Sequence, residues 1–399
     1  MRLLFVHERF GALAGAESNA FTTATALKRR GHDIAILHGP PTGKGESAWQ
    51  ETFSQRFSLG KKDNASRVQS ALAEFRPDLA YVHKMADLEV IEALVAARVP
   101  LVRMVHDHDI YCMRSYKYNY FSRKICTRAA GPFCVFPCGA FLARNNNGSA
   151  FPVKFVSYRE KKKEIALNKK FQRMIVVSQY MREELLRNGF DPAKIEIHPP
   201  TPPVGDRNLR SNFSERNLIL FAGQIIRGKG VDVLLESLAL LREPFECIIF
   251  GDGTHRPFCE ALSRKLNLQD RVRFAGFVPQ EELKNFYREC TVVAISSLWP
   301  EPFATIGMEV MRYALPVVAF DAGGISDWLM DGHNGFLVPW MDRVQFAGRL
   351  EELLKNKPLA RQMGEHGLEM ATQQFSFSRY IQDLENLFTK VADEKRVAA

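Results

Sequence analysis

The chain has 399 residues, more than one hydrophobic core usually supports, so two domains are expected. Hydrophobic residues make up 46% and charged residues 25%, globular proportions that exclude a disordered chain. No apolar run of about 18 residues occurs, which argues against a membrane-spanning helix, and the apolar start is broken by His7, Glu8 and Arg9 before it reaches signal-peptide length. A cytoplasmic protein is expected. The formal charge of +9 is concentrated: from Arg114 to Arg173, fourteen Lys or Arg stand against Glu160 and Glu164, a local net of +12. Such a block is either a solvated surface or a patch for an anionic partner, such as an anionic membrane, an acidic glycan or a pyrophosphate-bearing lipid. No nucleic-acid recognition motif accompanies it.

In chain order, residues 3–7 read as a buried strand, followed by a Gly-containing loop over 11–15 and a helix over about 17–30. Further strands are predicted at 33–38, 79–83, 101–106 and 174–178, the last leading into a helix over 179–188. Strands alternating with helices imply βαβ crossovers and a parallel sheet. His198-Pro-Pro-Thr-Pro-Pro203 can continue neither a helix nor a central strand and reads as a stiff linker. The alternation then restarts, with strands at 218–222, 246–250, 271–274, 291–295 and 315–319 and a helix over 231–241. The expected architecture is α/β, two Rossmann-like domains (1–200 and 206–375) with parallel sheets facing across a cleft.

Segment 296–309, Ser-Ser-Leu-Trp-Pro-Glu-Pro-Phe-Ala-Thr-Ile-Gly-Met-Glu, follows a strand and leads into an amphipathic helix. Pro302 suits the helix entry, Glu301 the loop before it, and Glu309 the helix about two turns further in. Backbone N–H groups near Phe303, Ala304 and Thr305 could then receive a phosphate or a sugar hydroxyl. The segment resembles the Glu-x7-Glu motif of the retaining family 4 glycosyltransferases, which have the two-Rossmann GT-B fold. Strand 218–222 runs into Gly223-Gln224-Ile-Ile-Arg227-Gly-Lys229-Gly-Val-Asp232, similar to the family's strand–Gly-Arg–loop–Lys-Gly–helix pattern. The resemblance implies that Lys229 neutralises a donor diphosphate. Gln224 stands where the family usually has arginine, and Arg227 is the candidate replacement. Phe250-Gly251-Asp252-Gly253 resembles the family's sugar-side turn, Phe274-Ala-Gly-Phe277-Val278 its base-reading strand edge, and Asp321-Ala-Gly-Gly-Ile325 its glycine pair.

The first half matches more loosely. Gly11-Ala-Leu-Ala-Gly15-Ala-Glu17 resembles the family loop that approaches the donor phosphates, with Ala16 replacing one glycine. Met104-Val105-His106-Asp107 resembles its His-Asp pair, which implies His106 beside the reacting carbon of the sugar. His108-Asp109 repeats the dipeptide, and the apolar run before it favours His106. Residues 376–391 carry Tyr380, Ile381, Leu384, Leu387 and Phe388 at helical spacing. By the resemblance, a helix over about 376–399 packs back on the first domain; the alternative keeps it with the second.

Cys247, Cys259 and Cys290 stand singly and read as small buried hydrophobes. Cys112, Cys126, Cys134 and Cys138 follow the His-Asp pair closely, and some family members carry a similar stretch. They are either free thiols or ligands of a structural zinc or iron–sulfur cluster, since stable disulfides are not expected in a reducing cytosol. Tyr111, Tyr116, Tyr118, Tyr120 and Phe121 interleave with the basic block, as suits an acceptor-side loop at a membrane interface.

The resulting expectation is a retaining glycosyltransferase. It would move a sugar from a UDP- or GDP-linked donor to a glycan, lipid-linked or small-molecule acceptor, in cell-surface polysaccharide or glycolipid synthesis, with a peripheral position at the inner face of the membrane as one option. Catalytic roles fall to His106 and Glu301. Donor binding falls to Gly15, Gln224, Arg227, Lys229, Gly251, Gly253, Phe277, Val278, Phe303, Ala304, Thr305 and Glu309. The resemblance implies that catalysis needs no cofactor, because basic side chains and helix N-termini neutralise the leaving diphosphate. The alternatives are an epimerase or phosphorylase on the same fold, and a non-catalytic basic binding protein.

Overall fold

A computed structural model of the chain describes residues 1–12, 15–144, 153–203 and 210–398. Leu13 and Ala14 of the first Gly-containing loop, and the expected start of the second domain at 206, lie outside the described residues. The chain divides into two compact units. One comprises Met1–Lys117, Thr127–Pro203 and Phe377–Ala399, the other Tyr118–Cys126 and Val204–Ser376.

In chain order the first unit begins with β1 (Arg2–His7), α1 (Gly15–Arg29), β2 (Asp33–His38), α2 (Glu46–Thr52), β3 (Gln55–Ser58), α3 (Asn64–Phe75), β4 (Leu79–Val82), α4 (Leu88–Ala96) and β5 (Leu101–Val105). It continues with β6 (Leu142–Arg144), β7 (Val153–Phe155), α5 (Tyr158–Asn168), β8 (Arg173–Val176), α6 (Gln179–Arg187) and β9 (Ile195–Ile197). Seven of these strands form a parallel sheet in the order β3–β2–β1–β4–β5–β8–β9, while β6 and β7 pair antiparallel by themselves. The central strands read as unbroken apolar runs because helices cover both sheet faces, and Leu3 to Val6 and Leu79 to Val82 are all buried.

The second unit holds β10 (Leu218–Ala222), α7 (Val231–Leu238), β11 (Glu246–Phe250), α8 (Arg256–Lys265), β12 (Val272–Gly276), α9 (Gln280–Tyr287) and β13 (Val292–Ile295). It ends with α10 (Ile306–Met311), β14 (Val317–Phe320), β15 (Gly335–Val338), α11 (Arg343–Lys355) and α12 (Lys357–Gln373). Its six strands are parallel, in the order β12–β11–β10–β13–β14–β15.

The last helix, α13 (Phe377–Ala398), belongs to the first unit. It buries Leu384, Phe388 and Val391 completely, with the Phe388 ring 4.9 Å from that of Tyr81. Asn19 donates to the Tyr380 hydroxyl (3.1 Å), and His32 pairs with Glu385 (2.8 Å).

Both sheets are doubly wound, and each reverses strand order once, at β1/β4 and at β10/β13. In such sheets ligands bind beyond the carboxyl ends of the strands that flank the reversal. The residues that follow β1, β4, β10 and β13 therefore occupy the expected ligand positions of each unit.

Candidate functional site

In the second unit the chain leaves β10 through Gly223 and Gln224, and Gln224 is exposed. It then turns through a single 3-10 turn, Arg227–Lys229, before α7 begins at Val231. Lys229 thus precedes the helix. Gly230 joins the two with φ +65, and a Cβ there would stand 2.1 Å from the Ser296 carbonyl oxygen, so only glycine lets this loop lie against the end of β13. The two loops are laced together. Leu298 and Trp299 donate their N–H groups to the Gly228 carbonyl (2.8 and 3.1 Å), and the Ser296 hydroxyl donates to that of Lys229 (3.0 Å).

This lacing sets Lys229 Nζ 2.6 Å from Glu301 Oε1. Glu301 is 4% exposed, and the Trp299 indole N–H (2.8 Å) and the Ser297 hydroxyl also donate to Oε1. Burial alone would push its carboxyl up; the charge of Lys229 and these three donors hold it below the ordinary carboxylate range. Lys229 Nζ also lies 5.1 Å from the Trp299 ring centroid, a cation–π contact. Sequence reasoning separated Lys229 and Glu301 into different roles, and the structure makes them one buried ion pair. Ser297 and Trp299, its other members, lie in the same quoted segment, but nothing in their spacing marks them.

The segment after Glu301 differs from expectation. The helix starts at Ile306, so Pro302 lies in the loop before it and Glu309 falls in the first turn, not two turns in. The delay comes from Ala304, whose φ of +58 interrupts the helical path, and from Phe303, whose carbonyl accepts the Trp328 indole N–H at 2.6 Å. Thr305 is the cap residue. Glu309 is half-buried beside Tyr287, whose phenol is held above its ordinary range by burial and by that carboxylate.

Gly251 has φ +117, and a Cβ would meet the Gly223 carbonyl oxygen at 1.9 Å; one at Gly253 would meet that of Ile225 at 2.5 Å. Both glycines thus let the turn after β11 lie along the loop after β10. Phe277, just beyond β12, is 83% exposed, with Val278 next to it. A concavity of about 680 Å³ runs along β12 between Arg216, Glu246, Arg264 and Phe286 and contains none of these residues.

Residues 118–125, part of this unit, form a hairpin closed by a Tyr118–Ile125 bridge. Arg123 pairs with Asp232 of α7 at 2.7 Å and reaches the Arg227 carbonyl at 3.4 Å. The Arg227 guanidinium lies 5.0 Å from the Tyr120 centroid, with its Nε buried and without an acceptor. Arg227, the candidate replacement for the arginine missing at Gln224, is thus held by an aromatic from far back in the sequence.

In the first unit, His106 directly follows β5, and its Nε2 is 2.9 Å from His83 Nδ1. Burial, reinforced by His7, Lys84 and Arg103, lowers His106 to about 3, so it is neutral. Asp107 and Asp109 share Lys84 (2.8 and 2.9 Å); burial and Asp109 raise Asp107 to about 6. His108 is fully buried against the Tyr111 hydroxyl at 2.7 Å, so the histidine of the repeated dipeptide is held in the core. Gly15 opens α1, with nothing within 4 Å of a Cβ placed on it.

Cys247, Cys259 and Cys290 are buried. Cys112, Cys126, Cys134 and Cys138 are separate, half-buried thiols, and among the described residues no three His, Cys, Asp or Glu side chains could hold a metal together. Of the two alternatives for these cysteines, a zinc or iron–sulfur ligand set is not assembled among the described residues. Cys126 groups with the second unit and the other three with the first.

Residues 206–370 match the profile of the glycosyl transferases group 1, and residues 13–201 that of glycosyltransferase family 4. Among curated relatives, the D-inositol 3-phosphate glycosyltransferase of Xylanimonas cellulosilytica is 34% identical over 192 residues, 43% of this chain and 46% of that protein. The alpha-D-kanosaminyltransferase of Streptomyces kanamyceticus is 29% identical over 46% of this chain and 48% of its own. This chain spans about half the length of the curated relatives it matches. Among solved structures, Anabaena HepE in complex with UDP superposes with a TM-score of 0.74 at 19% identity, covering 98% of this chain and 100% of that one. The lipopolysaccharide outer core galactosyltransferase WaaB gives 0.71 at 17%, again over 98% and 100%. These neighbours share the GT-B fold. With one profile on each half, the chain belongs to the family 4 glycosyltransferases.

Proposed function

We propose that this protein transfers a sugar, with retention of anomeric configuration, from a UDP- or GDP-linked donor to a glycan, lipid-linked or small-molecule acceptor in cell-surface polysaccharide or glycolipid synthesis. The observation that carries this reading is the buried Lys229–Glu301 pair at the strand reversal of the group 1 half. An ammonium has three donors, and Lys229, 22% exposed, spends one on Glu301, which leaves donors for phosphate oxygens. The charge that develops on the leaving diphosphate is met by Lys229 and Arg227, groups already fixed in place, so little reorganisation is needed. Glu301 accepts from sugar hydroxyls through Oε2, and the backbone of Phe303, Ala304 and Thr305 lies next to it. Glu309 accepts from the ribose, Phe277 and Val278 border the base, and Gln224, Gly251 and Gly253 line the loop under the diphosphate. His106, held neutral, donates to a hydroxyl near the anomeric carbon, with Gly15 at the start of α1 beside the phosphates. HepE has been crystallised with UDP-glucose, which favours a uridine donor. No cofactor has a role in this scheme.

The basic stretch 114–173 is assigned to an anionic membrane surface. It is supported by the large exposed aromatics Phe133, Phe136 and Phe155 among its cations. Sedimentation with anionic vesicles that persists in 0.5 M salt, or that equals sedimentation with neutral ones, overturns this assignment.

The donor reading is tested by a thermal-shift screen of UDP-, GDP- and ADP-sugars. At a ligand concentration of 100 times Kd, binding stabilises by about 2.7 kcal/mol, which raises Tm by about 5–11 °C for a unit of this size. Lys229→Ala and Glu309→Ala should remove the shift. A full shift in both variants, or no shift with any nucleotide sugar, rejects the site.

A further inference from the structure

His7 closes β1, His83 follows β4 and His106 follows β5, so three histidines stand at the carboxyl ends of adjacent strands. The sugar-transfer scheme uses only the last. His83 is 1% exposed, with its ring stacked on Phe5 (centroids 5.5 Å) and edge-on to Tyr81 (4.4 Å). Its backbone N–H is bonded to the Val6 carbonyl at 2.9 Å, so the residue is fixed from both ends.

The 2.9 Å contact between His83 Nδ1 and His106 Nε2 needs one donor and one acceptor, which allows two arrangements. They are not equivalent, because His83 Nε2 is buried without a partner. With its proton on Nε2, His83 would leave an orphaned N–H in the core; with its proton on Nδ1, it leaves only an unused lone pair. Buried donors without acceptors are rarer and costlier than under-used acceptors. We propose that His83 is a positioning residue for His106, donating its Nδ1–H to His106 Nε2 and so holding His106 with its own proton on Nδ1. His106 can then act as a fixed donor to a sugar hydroxyl. Without this bond its ring could rotate or change tautomer and present a lone pair instead.

The surrounding charges fit a neutral pair. Burial, then His106, His7 and Arg103, push His83 far below the usual imidazole range. His7 accepts the Arg9 N–H on Nδ1 (3.1 Å) and faces Glu17 with Nε2 (3.8 Å), so it does not compete for His83. Arg103 donates to the Met85 carbonyl, and Lys84 is held by Asp107 and Asp109.

The inference rests on the reading of His106 as the histidine at the reacting sugar, and the test separates the two. In the whole protein with ¹⁵N-labelled histidine, long-range ¹H–¹⁵N spectra report the tautomers. His106 should be protonated on Nδ1 and His83 likewise; His106 protonated on Nε2 overturns the proposal without any activity measurement. His83→Phe should lower kcat for turnover of the nucleotide sugar by about tenfold to a hundredfold, the usual effect of losing an imidazole's orienting partner, with donor Kd unchanged. His83→Asn, whose amide N–H stands where Nδ1 stood, should restore most of that loss. Wild-type kcat in His83→Phe, or no recovery in His83→Asn with its fold intact, refutes the positioning role. Wild-type kcat in His106→Ala refutes the reading of His106 itself. If His83→Phe does not fold, the wild-type spectrum and His83→Asn decide.

Discussion

Replacing Lys229 by methionine leaves a buried carboxylate without its counter-charge, and the structure sets the size of the effect. At 2.6 Å and an effective dielectric of about 20, the gross attraction is about 6 kcal/mol. Ser297 and Trp299 still solvate Glu301 in the variant, and Lys229 is partly in water, so the net loss at pH 7 should be about 3 kcal/mol. That corresponds to a fall in Tm of about 6–12 °C. The pH dependence follows from the sign of the shift. In the native protein Glu301 titrates below its unfolded value, so its stabilising contribution is present at neutral pH and is lost as pH falls through the folded pKa. In Lys229→Met burial dominates, the folded pKa rises above the unfolded one, and the variant loses stability as pH rises. The gap between the two proteins should therefore be widest near pH 7 and should narrow as pH falls toward the folded pKa of Glu301 in the native protein. Scanning calorimetry across that range measures it, and Glu301→Gln in the Lys229→Met background should recover about 2 kcal/mol. A gap that does not change with pH, or a double variant no better than the single, would show that the pair is not a buried ion pair.

Gly251→Ala forces a Cβ to within 1.9 Å of the Gly223 carbonyl at φ +117, so the loop after β10 must move. Loss of nucleotide binding together with at least 1–3 kcal/mol of stability is expected, and binding at wild-type affinity would contradict it. Phe388→Ala empties a fully buried ring site against Tyr81 and should cost about 3–5 kcal/mol in urea unfolding. Arg123→Ala leaves Asp232 half-buried, with His255 at 3.7 Å in place of a guanidinium at 2.7 Å. It should destabilise by about 3 kcal/mol and release Arg227, read as a weaker nucleotide thermal shift; an unchanged shift would separate the hairpin from the loop.

Strands β2, β10 and β11 are legible to the residue, because each is an unbroken apolar run bounded by turn residues. Edge strands β3 and β9 escape prediction since they are short and half-exposed, and Gln55-Arg-Phe-Ser58 has no apolar face to betray it. The helix after Glu301 is placed four residues too early because Pro302 is a sound helix starter, whereas the positive φ at Ala304 depends on Trp328 gripping the Phe303 carbonyl from 25 positions away. The chemistry at Lys229 and Glu301 is visible as residue types, but their pairing is not, since 72 positions separate them and contacts at Gly228, Lys229 and Gly230 bring the two loops together. His83 had a faint signal: it ends a predicted strand, as His106 does. Arg123 had none, because an arginine in a basic stretch has no distinguishing neighbour.

The placement of α13 has a consequence for how the protein is made. The first unit combines Met1–Lys117 and Thr127–Pro203 with Phe377–Ala399, and the whole of Val204–Ser376 is synthesised in between. When Pro203 leaves the ribosome the seven-stranded sheet is complete in sequence, yet Tyr81 still lacks Phe388 and the face that takes Leu384 and Val391 is bare. Translation at about 5–20 residues per second leaves that apolar face uncovered for about 10–40 s, while the second unit can fold as it emerges. The nascent N-terminal half is thus the stage most open to chaperones and aggregation. A premature stop directly after Ser376 should yield a second unit complete in sequence, attached to a first that never closes.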